Sequence, residues 1–172
     1  VARTPVDEMA PDELSSFAKE IVVRKLSERA HSRGELAQAL VKKQVPEGVV
    51  EATLAKFETA GLIDDEDFAR SWVQARQRGK GLSSRALAGE LRRKGVDDDL
   101  TKEVLGELDP EVELAAAHRL VQTKLRSMSR FDDTTKLRRL TGLLARKGYP
   151  PRVAFDVVRH ELGAEAEPLE SM

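Results

Sequence analysis

A spacing pattern that occurs three times constrains this chain more than any other feature. The middle copy, in LAGELRRKGV, is Leu87, Leu91, Lys94, Gly95 and Val96; 51 residues earlier stand Leu36, Leu40, Lys43, Gln44 and Val45, and 53 residues later Leu140, Leu144, Lys147, Gly148 and Tyr149. Leucines four apart share one face of a helix, the Lys-Gly or Lys-Gln pair ends it, and the next apolar residue drops back into the core. A second amphipathic run follows each copy, opened by Pro46, Asp97 or Pro150, all residues that suit a helix start. One supersecondary unit is thus used three times. Each unit has few large apolar side chains and gains by burying a face against its neighbour. The expected fold class is all-α, an elongated, curved array of three tandem three-helix repeats, about nine helices and of order 60 Å long. A composition with 34% charged and only 4% aromatic residues points the same way, because strands concentrate aromatic and β-branched side chains.

Residues 1–11, with Pro5 and Pro11 and no periodicity, read as a disordered leader. The first repeat covers 12–60. Asp12 caps a helix to about Arg29 that turns Phe17, Ile21, Val22 and Leu26 inward; His31, Ser32, Arg33 and Gly34 make a turn. Leu36, Leu40 and Val41 line the second helix, Val49, Val50, Leu54 and Phe57 the third, and Gly61 stops it. The second repeat covers 61–108. Asp64 or Asp65 caps a helix buried through Phe68, Trp72 and Val73, Gly79 and Gly81 break it within QRGKGLSS, and Ser83 or Ser84 caps the next. The third repeat, 109–163, starts at Asp109 and Pro110 and buries Leu114, Ala117, Leu120, Val121 and Leu125, then Leu137, Leu140, Leu143 and Leu144, then Val153, Val157, Val158 and Leu162. Residues 164–172 read as a disordered acidic tail.

The net charge of -1 conceals an alternation. Residues 24–43 carry six lysines and arginines against two acids, 68–95 eight against one, and 114–152 ten against two, whereas the intervening segments are acidic. Charge runs are ordinarily solvated helix faces. Here they follow the repeat, with the first two helices of each unit basic and the third acidic, as an electrostatic recognition surface would need. The candidate basic stripe begins with Arg24, Lys25, Arg29, Arg33, Lys42 and Lys43. It continues through Arg70 and a dense cluster of Arg76, Arg78, Lys80, Arg85, Arg92, Arg93 and Lys94. Its last members are Arg138, Arg139, Arg146 and Lys147. Such a surface suits phosphates or a carboxylate-rich protein groove. Phe57, Phe68, Trp72, Tyr149 and Phe155 lie at core spacing, so strong autonomous binding of single strands by base stacking is not expected.

Other classes lack a constellation. Without cysteine there is neither a disulfide framework nor a thiolate metal site. No apolar run nears the roughly 20 residues of a membrane span, and no signal-peptide core is present, so a cytoplasmic location with no membrane association is expected. Asp64, Asp65, Glu66 and Asp67 lack the spacing and central glycine of a calcium loop and fit helix capping. His31, His118 and His160 are scattered, with no ligand partner at helical spacing. No nucleophile elbow or phosphate-binding glycine loop occurs, so the chain is read as a non-enzyme without cofactor or metal.

The stretch GLIDDEDFARSWVQARQRGKGLSSRALAGELRRKGV resembles the central signature of the RecX regulators. LSERAHSRGELAQALVKKQVP is similar to that family's first repeat and LTGLLARKGYPPRVAFDVV to its last, so the resemblance covers roughly residues 18–162. The one departure is Gln44, at a position where the other copies have glycine. The resemblance implies a monomeric regulator that binds the RecA recombinase and its filament on single-stranded DNA. It would lower recombinase, ATPase and co-protease activity and so modulate recombination, repair and the SOS response. Contact with the single strand would be weak or indirect on its own. A stand-alone DNA-binding helical-repeat protein is the alternative reading of the same basic helices.

Overall fold

Most helices start where a short polar side chain accepts from the free N–H groups of the first turn, and the others start at or just after a proline, whose missing N–H has no partner to lose there. The computed structural model describes residues 4–166, with side chains through 163. Among the described residues there are nine α-helices and no strand: α1 Pro11–Glu28, α2 Arg33–Lys42, α3 Glu47–Thr59, α4 Asp65–Lys80, α5 Ser84–Arg93, α6 Asp98–Gly106, α7 Pro110–Leu125, α8 Asp133–Arg146 and α9 Pro151–Ala166. Ser32 and Glu35 form a capping box on α2, the Ser32 hydroxyl accepting from the Glu35 N–H at 3.1 Å and the Glu35 carboxylate from the Ser32 N–H at 3.3 Å. Ser83 caps α5 through the Ala86 N–H at 3.2 Å, and Asp97 caps α6 through Asp99 and Leu100. Asp109 and Asp132 do the same for α7 and α8.

The three copies of the sequence pattern end alike. Val45, Val96 and Tyr149 donate their N–H groups to the carbonyls of Leu40, Leu91 and Leu144 at 3.1, 3.0 and 3.0 Å, the long bond of a Schellman motif. The motif needs a left-handed residue, and Gly95 (φ 77°) and Gly148 (φ 91°) supply it. Gln44 adopts the same conformation at φ 62° despite its side chain. The departure from glycine therefore does not change how α2 ends.

Several sequence expectations give way to packing. Residues 1–3 of the expected leader lie outside the described residues; within the rest, Val6–Glu8 form a 3-10 turn, and Val6 and Met9 pack on the α1–α3 core. α1 opens at Pro11, so Asp12 lies in its first turn and Glu13 accepts from the Ala10 N–H at 3.2 Å. Gly79 does not break α4, which runs on to Lys80; only Gly81 turns left-handed, at φ 61°. α9 extends to Ala166, into the expected tail, and residues 167–172 lie outside the described residues. Val41 and Leu114, placed in the core by periodicity, are 61% and 44% exposed. Each lies at the edge of an apolar stripe whose centre (Leu36 and Leu40, or Ala117 and Val121) is fully enclosed.

The chain forms two compact units. One comprises Val1–Ser71 with Leu91–Thr101, the other Trp72–Glu90 with Lys102–Met172. The first is centred on Ile21, Val22, Leu36, Leu40, Leu54 and Phe57, and the second includes a cluster of Val121, Leu125, Leu140, Leu144, Tyr149 and Val158. Burying each such side chain contributes about 1.5–3 kcal/mol. α4, α5 and α6 are each divided between the units.

Candidate functional site

Within the second unit, the end of α4 and the turn after it face α7 and the C-terminus of α8 across a basin of about 630 Å³. Five cations line it: Arg78 and Lys80 from α4, Arg119 and Lys124 from α7, and Lys147 at the cap of α8. Gln77, Thr123 and Ser127 add polar groups, Leu120 and Leu143 form part of the wall, and no carboxylate is among the lining residues. Among the described residues none of these five cations has an ion-pair partner. Opposed helices that bring like charges together without acids concentrate a positive potential, which attracts phosphate oxygens or carboxylates.

The turn that bounds the basin is held from below. The buried Tyr149 hydroxyl donates to the Gly81 carbonyl at 2.8 Å and lies 3.3 Å from the Glu113 carbonyl oxygen. Burial, with the nearby Glu113 charge, pushes that phenol up to about 12, against the opposing pull of Arg119. Glu113 also anchors the start of α5, accepting from the Ser84 N–H at 2.9 Å and from its hydroxyl. The Ser83 N–H donates to the Lys147 carbonyl at 3.0 Å. A Cβ on Gly148 would lie 2.6 Å from the Ala86 Cβ, so the end of α8 sits hard against the start of α5.

The structure divides the expected basic stripe by environment. In the first unit Arg29, Arg33, Arg70, Arg92 and Lys94 pair with acids of the same unit. Arg33 bridges Glu51 at 2.6 Å and also pairs with Glu58; the Glu51 hydrogen bond is the main reason its pKa is raised, with burial opposing. Arg29 and Lys94 both pair with Glu35, at 3.1 and 3.0 Å. Burial pushes the Glu35 carboxyl up, but its hydrogen bonds and charge contacts with these two cations outweigh that and hold it below its usual 4.5. Asp65 accepts from the Arg33 N–H at 2.8 Å, and its burial raises its pKa. Arg70 pairs with Glu66 one turn away, and Arg92 lies 3.3 Å from Asp98. Lys25, Lys42 and Lys43 line a smaller depression of about 280 Å³ that also contains Arg29 and Glu35.

In the second unit Arg76 stacks 4.4 Å from the Trp72 ring and reaches Glu90 at 3.4 Å, so it is a packing residue. Arg139 lies over Phe131 at 4.2 Å. Arg24, Arg85, Arg93, Arg138 and Arg146 are exposed outside the basin lining. The dense cluster from Arg76 to Lys94 is thus divided between the two units. Sequence reasoning did not include Arg119 and Lys124, although with Ala116, Leu120 and Thr123 they follow the three-and-four spacing of one face of α7. Phe155, expected in the core, is 42% exposed with Arg159 over its ring at 5.5 Å.

The histidines are less scattered than their numbering. His118 on α7 and His160 on α9 meet edge to face with centroids 5.2 Å apart, beside Glu161. Spacing along one helix could not reveal a cluster built from two.

Comparison with known proteins agrees with this architecture. Family models match residues 18–57 as "RecX, first three-helix domain", 64–105 as "RecX, second three-helix domain" and 111–158 as "RecX, third three-helix domain". The "Regulatory protein RecX" of Amycolatopsis mediterranei (strain U-32) is 45% identical over 169 residues, covering 96% of this chain and 97% of that protein. The protein of the same description from Thermobifida fusca (strain YX) is 40% identical, covering 94% of this chain and 87% of its own length. The crystal structure of RecX from Lactobacillus salivarius superposes with a TM-score of 0.77 over 89% of this chain and 99% of that one, at 19% identity, a likeness of fold. The matches run through all three repeats, and the chain belongs to the RecX family of regulatory proteins.

Proposed function

We propose that this protein restrains the RecA recombinase by binding its filament on single-stranded DNA, with the basin of the second unit as the main electrostatic contact. The observation that carries the reading is the convergence of Arg78, Lys80, Arg119, Lys124 and Lys147 with no acid in the lining. In the first unit Arg29, Arg33, Arg70 and Lys94 already pair with neighbouring carboxylates, so a partner gains less by meeting them. Arg78, Lys80, Arg119 and Lys124 are exposed and pay little desolvation until phosphates or carboxylates enter, and then form charge-assisted hydrogen bonds. Inhibition follows from binding alone: a protein that prefers one filament state shifts the population toward it and needs no chemistry of its own.

The test is ATP hydrolysis by RecA filaments preformed on single-stranded DNA, followed as protein is added. Turnover falls to a plateau as the protein saturates the filament. Unchanged turnover, with no association detected by sedimentation, sinks the proposal. The same basin also favours a second reading, autonomous DNA binding. Tight gel-shift binding without RecA, falling steeply with salt, supports that alternative.

A further inference from the structure

We propose that His118, His160 and Glu161 form a zinc site that ties α7 to α9. Three nitrogens converge on one oxygen here. Glu161 Oε1 lies 2.6 Å from His118 Nδ1, 3.1 Å from Gln122 Nε2 and 3.7 Å from His160 Nδ1. One candidate ligand atom from each of the three residues lies within 4.8 Å of the others. Tetrahedral zinc, with bonds of about 2.0–2.2 Å to nitrogen and oxygen, holds its ligands about 3.3 Å apart. The His118–Glu161 pair needs to open slightly and His160 to swing inward.

The surroundings allow both movements. The His160 side chain is 70% exposed and adjusts without disturbing the core, whereas that of Glu161 is 9% exposed and held by Gln122, which orients the carboxylate. Two imidazoles and a carboxylate are a zinc-type donor set, harder than thiolate and softer than the all-oxygen cages of calcium or magnesium. On binding, two Zn–N bonds and one Zn–O bond form, and any proton shared between His118 and Glu161 leaves to solvent. The exposed side of His160 leaves a coordination position for water. The site would fasten α7 to α9 within the second unit and lies outside the basic basin lining.

The experiment uses the untagged full chain. Titration with Zn²⁺ is followed by calorimetry and thermal unfolding, and Co²⁺ is used as a visible probe of coordination. One equivalent of Zn²⁺ binds per chain, the unfolding temperature rises, and Co²⁺ gives the visible bands of a four-coordinate site. His160→Ala removes an exposed ligand, leaves the metal-free unfolding temperature unchanged and weakens Zn²⁺ binding by more than about tenfold. His118→Gln abolishes the cobalt bands. Failure of the wild-type chain to bind Zn²⁺, or binding that His160→Ala leaves intact, overturns the site.

Discussion

Gly34 and Gly95 face each other so closely that a Cβ on Gly34 would stand 2.7 Å from the Gly95 Cα, and one on Gly95 2.8 Å from the Gly34 Cα. The Ser32 hydroxyl donates to the Lys94 carbonyl beside them. The Lys-Gly end of α5 therefore docks on the turn before α2, as the Lys-Gly end of α8 docks on Ser83 and Ala86. Glycine at 95 and 148 is needed for close approach as well as for conformation, whereas position 44 needs the conformation alone, and exposed Gln44 meets that need.

Gly95→Ala combines a left-handed penalty with a backbone clash and lowers the unfolding free energy by about 2–5 kcal/mol. Gly61→Ala is the control, at φ 73° with nothing within 4 Å of an added Cβ, and costs only about 1–2 kcal/mol. Gln44→Gly gains about 0.5–1 kcal/mol, because relief of strain exceeds the added chain entropy. Urea unfolding of the three variants orders them; equal losses for Gly95→Ala and Gly61→Ala contradict the docking.

Tyr149→Phe leaves the Gly81 carbonyl without its phenol donor and costs about 1–2 kcal/mol. The folded phenol titrates near 12 against an ordinary 10.0, so its contribution is complete below 10 and is lost as pH rises toward 12. Alkaline unfolding curves of wild type and Tyr149→Phe converge across that window if the assignment is right.

Glu35 predicts the opposite dependence. Its folded pKa lies below the usual 4.5, so its stabilisation is complete above that value and is lost as pH falls through the folded pKa. Glu35→Gln destabilises the protein at pH 7 and loses less than wild type on acidification. Asp65, raised by burial, has the reverse sign: its ionisation opposes folding as pH rises, so Asp65→Asn, which keeps an acceptor for Arg33, costs little at neutral pH. Denaturant midpoints at pH 7 and pH 3 check both variants.

Much of this fold is legible because the repeat carries its own punctuation: Leu36/Leu40, Leu87/Leu91 and Leu140/Leu144 are all buried, and each pair is followed by a left-handed residue. The Gly34–Gly95 contact is not legible, since Gly34 resembles an ordinary turn glycine until a partner 61 positions away is placed against it. The candidate site is legible only in part. Lys80 and Lys147 stand out by density of charge, but sequence cannot show that Glu35, Glu51 and Glu58 occupy the cations of the first unit, or that α7 brings Arg119 and Lys124 to Arg78. The pairing of Glu35, Glu51 and Glu58 is, among the described residues, with Arg29, Arg33 and Lys94 alone; it depends on which helix faces pack, and apolar periodicity fixes the buried face far better than it fixes the neighbours of exposed charges.

The most direct measurement is association of fluorescently labelled protein with RecA filaments on single-stranded DNA across a salt series, comparing wild type, Lys80→Glu/Lys124→Glu and Arg33→Gln. The basin variant binds more than about tenfold more weakly. If its two lysines meet phosphates, its slope of log affinity against log salt is shallower by about 1.4, while Arg33→Gln, which removes an internally paired cation, binds like wild type. Undiminished filament binding by the folded basin variant contradicts the account.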